Sequence, residues 1–242
     1  MGQPALASAS RQLTQSAMAR LRSRFAHPSF SILKVPVSMA EQAKSIWRPR
    51  SAWAGIVEAG QIGVDGKPGV TALTLDDMGF ATLIVPPGSP DLASATKRMI
   101  GLDLPKKAFV SLSSTHGVAW AGANHWLLFA RQQAGFVDLL QSFSDHAAVS
   151  DQSHARAALT VSGPRVREVL AKGAMVDLHS SVFPVGATAL TSFAHVHVQF
   201  WRTDDGPDGP IFEILVPRSM AGSFWSWFAA SAAEFNCRID RD

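Results

Sequence analysis

Tyrosine is absent from the 242 residues, cysteine occurs once, and charged side chains make up only 17%. Without a phenol, tyrosine general acids and tyrosine hydrogen-bond networks are excluded. The single thiol, Cys237, closes no internal disulfide and furnishes no cysteine-based zinc site, which fits a reducing compartment, the cytoplasm. The uncharged stretch 108–130 is broken by Ser, Gly and Asn and carries His116 and His125. No apolar run therefore reaches the ~18 residues that a membrane span needs. Neither GxGxxG nor GxxxxGK followed by Ser or Thr occurs, so no cradle for a nucleotide phosphate is announced.

Hydrophobic residues make up 47% of the chain, enough for one large or two small globular domains. Its basic charge is unevenly placed. Residues 1–50 hold eight Lys and Arg against the single acid Glu41, which leaves 14 basic and 18 acidic side chains in the remainder. The globular part is mildly acidic, and a nucleic-acid partner is not expected. Residues 1–47 read as a basic, disordered tail. Leu13, Met18, Leu21 and Phe25 mark one face of a short helix of transit-peptide composition, or residues 1–38 are an upstream extension with no part in the fold.

Two units follow, at 48–151 and 152–242. In the first, VTALTL (70–75) and FATLIVP (80–86) read as a hairpin turning at 77–79. A helix follows, with Ser89 as N-cap, Pro90 at its first position and Gly101 past its end. GVAWAG (117–122) and HWLLFA (125–130) flank an Ala123-Asn124 turn, and Phe136, Leu139, Leu140 and Phe143 share a helix face. In the second, ARAALTVS (155–162) precedes a helix opened by Gly163-Pro164, with Val166, Val169 and Leu170 inward, a Glu168–Lys172 pair, and Gly173 at its end. A run returns to the surface at Phe183-Pro184; FAHVHVQFW (193–201) and IFEILVP (211–217) then form a hairpin, and a last helix spans about 219–235. The order strand, helix, strand, strand, helix recurs, which predicts an α+β chain of two tandem ferredoxin-like units.

Three constellations invite a chemical reading. His195 and His197, two apart on an expected strand, place both imidazoles on one face, but no acid or cysteine lies between 178 and 203 to complete a metal set. Asp151, Ser153 and His154 contain the residue types of a hydrolytic triad. Neighbours in sequence seldom reach triad geometry, however, and no GxSxG elbow is present, so Asp151 and Ser153 are expected to satisfy backbone groups where the chain crosses between units. Phe224, Trp225, Trp227 and Phe228 crowd the last helix, with Trp227 off the main stripe. These four are either buried on two sides or form a partner interface.

DQSHARAALTVSGPRVREVLAKGAMVDLHSSVFPVG (151–186), AHVHVQFW, FEILVPRSMAGSFWSWFAASAAEF and GVAWAGANHWLLFA closely resemble the gamma subunit of heterotetrameric sarcosine oxidase, over Arg48 to about Phe235. Asp151, Ser153, Gly163, Pro164, Arg167, Asp177, His179, Pro184, Gly186 and Arg218 carry the pattern. The resemblance implies the aminomethyltransferase-like folate-binding fold and a place beside alpha, beta and delta subunits in a complex that converts sarcosine to glycine. It implies that FAD, FMN, NAD, tetrahydrofolate and zinc are used through those other subunits. The related transferases place a carboxylate near the folate on the segment after the helix, and residues 178–203 here contain none. The chain is therefore expected to support assembly without catalytic, cofactor or metal residues of its own. Two alternatives stay open: a free-standing folate-binding or aminomethyltransferase-like protein, and the equivalent subunit of an N-methyl amine dehydrogenase such as N-methylglutamate dehydrogenase.

Overall fold

The strands that alternation marks in the sequence divide between two sheets. The structure, a computed structural model, describes residues 50–86 and 91–242. The expected tail over 1–47 and the Ser89-Pro90 helix start lie outside the described residues. In chain order the elements are β1 (Gly60–Ile62), β2 (Val70–Leu75), β3 (Gly79–Ile84), α1 (Leu92–Ile100), β4 (Val110–Leu112), β5 (His116–Gly122), β6 (His125–Ala130), α2 (Phe136–Phe143), β7 (Ala148–Asp151), β8 (Arg156–Ser162), α3 (Val166–Ala171), β9 (Thr188–Phe193), β10 (Val196–Gly206), β11 (Gly209–Pro217), α4 (Ala221–Ala232) and β12 (Cys237–Arg241).

The five-stranded sheet has the order β4-β5-β6-β3-β7, all antiparallel. Its β5-β6-β3-β7 portion is the strand order of a ferredoxin-like unit. The seven-stranded sheet has the order β1-β12-β2-β8-β11-β10-β9. Here β8, β10, β11 and β12 repeat the plan, but β2 is inserted between β8 and β12, antiparallel to the first and parallel to the second. The expected division at 151/152 is therefore crossed by β1 and β2, and the described residues belong to one compact unit. The hairpin expected at 77–79 does not form. Asp77, at φ 55°, lies where the chain leaves one sheet for the other, and β3 pairs with β6 and β7 instead.

Period-2 alternation supplies both faces of each sheet with apolar side chains, which builds four layers. Leu159, Val161, Phe200, Phe212 and Ile214 of the larger sheet meet Val166, Val169 and Leu170 of α3 and Phe224 and Phe228 of α4. Ala81, Leu83, Val118 and Leu128 of the smaller sheet meet Leu92 and Ala95 of α1 and Phe136, Leu140 and Phe143 of α2. Between the sheets, Phe80, Leu127 and Phe129 pack on Ala158, Trp201 and Leu215. Burial of each large apolar side chain contributes about 1.5–3 kcal/mol.

Local signals account for most element ends. Asp91 caps α1, its Oδ1 accepting from Ala93 N at 2.9 Å, and Gly101 ends the helix at φ 74°. Asn124, at φ 58°, turns β5 into β6. On α3 the expected Glu168–Lys172 pair is replaced: Glu168 pairs with Arg165, three residues back, and Lys172 reaches across to Glu234 and the Ser231 carbonyl.

Candidate functional site

The family-pattern residues around α3 lie in two connected places. At the helix entrance Gly163 has φ 119°, and a Cβ there would lie 2.5 Å from the Gly69 carbonyl oxygen. Only glycine lets these two backbones meet. Pro164 follows, and Arg165 N donates to the same carbonyl at 3.1 Å.

Past the helix, residues 177–187 fold over the end of the larger sheet. Asp177 Oδ1 accepts from His179 N (2.8 Å), and the His179 carbonyl accepts from Val182 N and Phe183 N (2.9 and 2.8 Å). His179 Nδ1 lies 2.7 Å from Ser181 Oγ. Phe183, expected at the surface, is only 4% exposed and stacks on Phe200 at 4.8 Å between centroids. A large aromatic beside a strand core is stabilised by leaving water, so the loop folds inward. The Pro184 carbonyl accepts from Ala187 N (3.0 Å); Gly186 N donates to Arg202 O and its carbonyl accepts from Val110 N, both at 2.8 Å. The loop is thereby joined to both sheets.

Two guanidinium groups hold this loop. Arg167 Nε donates to the Leu178 carbonyl at 3.0 Å, and Arg202 Nη1 donates to the Phe183 carbonyl at 2.9 Å. Arg202, 4% exposed, also grips Asp205 through Nε and Nη2, holding that carboxyl below the usual carboxylate range. Burial, and secondarily the neighbouring Arg202 charge, pull Arg167 down from its ordinary value. Arg202 is the residue that sequence reasoning missed. Its signal is a lone cation ending the apolar run of β10, a position that seldom buries a charge without a partner. A second missed pair is Arg131–Glu213 (2.8 Å), which joins the end of β6 to β11 across the two sheets.

At the crossing from β7 to β8, Asp151 Oδ1 accepts from Ser153 N (2.9 Å) and the Ser153 hydroxyl (2.7 Å). Ser153 Oγ in turn accepts from Phe80 N at 3.1 Å. Among the described residues His154 makes no hydrogen bond to either side chain and is exposed, so no triad is assembled. Arg218 follows β11 and donates to the Arg50 and Ser51 carbonyls at 2.7 and 3.2 Å.

The paired-histidine face does not form. Ala194 and His195 occupy a two-residue turn between β9 and β10, with φ 46° and 70°, and only His197 lies on a strand. Positive φ at both central residues matches the twist of a tight hairpin, and this overrides the expectation of a continuous strand over 193–201. The turn is anchored by Ala194 N donating to the Gly173 carbonyl at 3.1 Å.

On α4, Phe224 and Phe228 are fully buried in the core and offer nothing to a partner, which corrects half of the expected interface. Trp225 and Trp227 are half-buried. Trp225 meets Trp53 edge-on at 6.3 Å, and Trp227 lies 6.0 Å from Phe193. Gly173 passes so close to Trp227 that a Cβ would lie 2.5 Å from the indole. The off-stripe position of Trp227 follows from packing on the β9 end rather than on the sheet centre.

Two ferredoxin-like sheets stacked face to face, with a helical layer outside each, define the class of protein. Glycine cleavage system aminomethyltransferase T from Bartonella henselae shares this fold, with a TM-score of 0.53 at 14% identity over 72% of this chain and 48% of that one. Residues 87–234 match the sarcosine oxidase, gamma subunit family, and the chain belongs to that family. It is 28% identical to sarcosine oxidase subunit gamma of Corynebacterium sp. (strain U-96) over 194 residues, 78% of this chain and 90% of the relative. It is 34% identical to the subunit of Corynebacterium sp. (strain P-1) over 138 residues, 54% of this chain and 68% of the relative. Among solved structures, a chain of heterotetrameric sarcosine oxidase from Corynebacterium sp. U-96, in complex with pyrrole 2-carboxylate, superposes with a TM-score of 0.65 at 28% identity, over 77% of this chain and 96% of that one.

Proposed function

We propose that the chain is the non-catalytic gamma subunit of a cytoplasmic heterotetrameric sarcosine oxidase, supporting assembly with alpha, beta and delta subunits. The observation that carries this reading is the likeness to a solved heterotetrameric sarcosine oxidase over 96% of the matched chain. The local chemistry supports it. The carboxylates around the acid-free stretch 178–203 are engaged locally: Asp177 accepts from His179 N, Asp204 from Asp205 N, and Asp205 from Arg202. None of the three stands ready to handle a charged amine, as general acid–base work requires. Oxidation of sarcosine to glycine, with FAD, FMN, NAD, tetrahydrofolate and zinc, then belongs to the partner subunits.

The test compares the purified chain with the reconstituted assembly. The chain alone is expected to be colourless, to turn over no sarcosine and to show no micromolar binding of tetrahydrofolate, while its omission from co-expression lowers the yield of active complex. Tetrahydrofolate binding by the isolated chain, or full activity of a complex assembled without it, contradicts the proposal.

A further inference from the structure

A cavity of about 280 Å³ opens where the chain passes between the two sheets, away from the 177–187 loop. Its size falls just below that of pockets for drug-sized ligands, about 300–1,000 Å³, which limits it to a smaller molecule. Arg156, Arg218 and Asp76 are sunk into its wall, Arg50, Asp77 and His154 stand at its rim, and Met78, Phe80 and Ala158 form an apolar floor.

The charged groups are not paired with one another. Among the described residues, none of the three arginines forms an ion pair, although two carboxylates line the same cavity. Each of the two sunken arginines is instead fixed along one edge by neutral oxygens. Arg156 donates from Nε and Nη2 to Gln152 Oε1 at 3.0 and 2.7 Å, and Arg218 donates from Nη2 to the Arg50 and Ser51 carbonyls. Among the described residues, Arg156 Nη1 and Arg218 Nη1 and Nε make no hydrogen bond. Burial pulls Arg156 down from its ordinary value, as expected of a cation that lacks a counter-ion.

Guanidinium groups oriented by neutral acceptors, with spare donors, are prepared for a carboxylate. A dianion in the same space meets Asp76 and Asp77, and a simple cation meets the arginines. A molecule that carries both charges satisfies both walls, with its hydrocarbon part on Met78 and Phe80. We infer that this cavity binds a small zwitterion of the α-amino-acid class, its carboxylate on Arg156 and Arg218 and its ammonium on Asp76. The site is separate from the assembly role proposed above and does not depend on it.

The experiment is calorimetric titration of the full chain with L-alanine, with acetate, ethylamine and inorganic phosphate as single-charge comparators. Saturable binding of L-alanine is expected. Acetate and ethylamine should bind at least roughly tenfold more weakly, as should L-alanine to each of Arg156→Gln, Arg218→Gln and Asp76→Asn, since each loses a charge-assisted contact. Circular dichroism melts establish which variants fold, and any one of the three that does is sufficient to read the result. Absence of saturable L-alanine binding overturns the inference. So does phosphate or acetate binding as tightly as L-alanine, or affinity unmoved in a folded variant.

Discussion

Arg202 donates from Nη1 to the main-chain carbonyl of Phe183 at 2.9 Å, so a buried cation within β10 holds the loop that carries the family's VDLHSSVFPVG sequence. Arg202→Gln strips that carbonyl and Asp205 of their donor. It is expected to lower stability by about 2 kcal/mol, below the cost of breaking a fully buried pair because Asp205 is 54% exposed. Denaturant titration reads the loss, and faster hydrogen exchange of the Phe183 amide, which donates to the His179 carbonyl, localises it. An unchanged midpoint contradicts the anchoring role.

The same pair sets an acid-side dependence. Arg202 holds the Asp205 carboxyl below its ordinary value, so this stabilisation is present above about pH 3.9 and is lost as pH falls through the folded value. Asp205→Asn should flatten that limb of the stability–pH curve. A limb equally steep in the variant assigns it to other carboxylates.

Trp225→Ala and Trp227→Ala should each destabilise the isolated chain by about 2–3 kcal/mol, somewhat less than truncation of a fully buried aromatic. Both indoles pack on the chain's own aromatics, Trp53 and Phe193. Thermal melts of the free subunit decide the matter. Unchanged melts together with weaker complex formation would return both residues to a partner interface.

Ser153→Ala removes an acceptor from Phe80 N and should cost about 1 kcal/mol, with Ser153→Thr closer to the parent. A stability difference measured by urea titration is the expected readout. Esterase activity abolished by Ser153→Ala with no loss of stability would instead reveal a nucleophile.

Cys237 is fully buried on β12, and burial pushes its thiol up to about 11. In the unfolded chain a thiol ionises near 8.5. The contribution of Cys237 is therefore complete below that value and is lost as pH rises through 11, amounting to at most about 3 kcal/mol. Cys237→Ala should flatten the alkaline limb, and iodoacetamide at pH 8 should label only denatured protein. Rapid labelling of the folded chain contradicts the buried placement.

Elements fixed by local chemistry were legible before the structure. Gly101 ends α1 at φ 74° because glycine tolerates that conformation, and the apolar spacing of Val166, Val169 and Leu170 faces α3 inward. Elements fixed by distant partners were not. The turn at Ala194-His195 lacks Gly and Asn, and it forms because β9 and β10 pair in register. β12, with the sequence CRIDR, places only Cys237 and Ile239 in the core and depends on β1 and β2 on either side. The insertion of β2 beside β8 is a long-range pairing that no local pattern encodes. At the candidate site, the motif glycines and prolines were readable as turns, whereas the role of Arg202 depends on a carbonyl 19 residues away.

The proposed function requires membership of a working oxidase assembly. Affinity purification of the tagged chain from its native cells, with a visible spectrum and identification of every co-purifying polypeptide, tests it most directly. A yellow complex of four different subunits that oxidises sarcosine is the predicted result. A colourless chain recovered alone, with no sarcosine oxidation in the eluate, contradicts it.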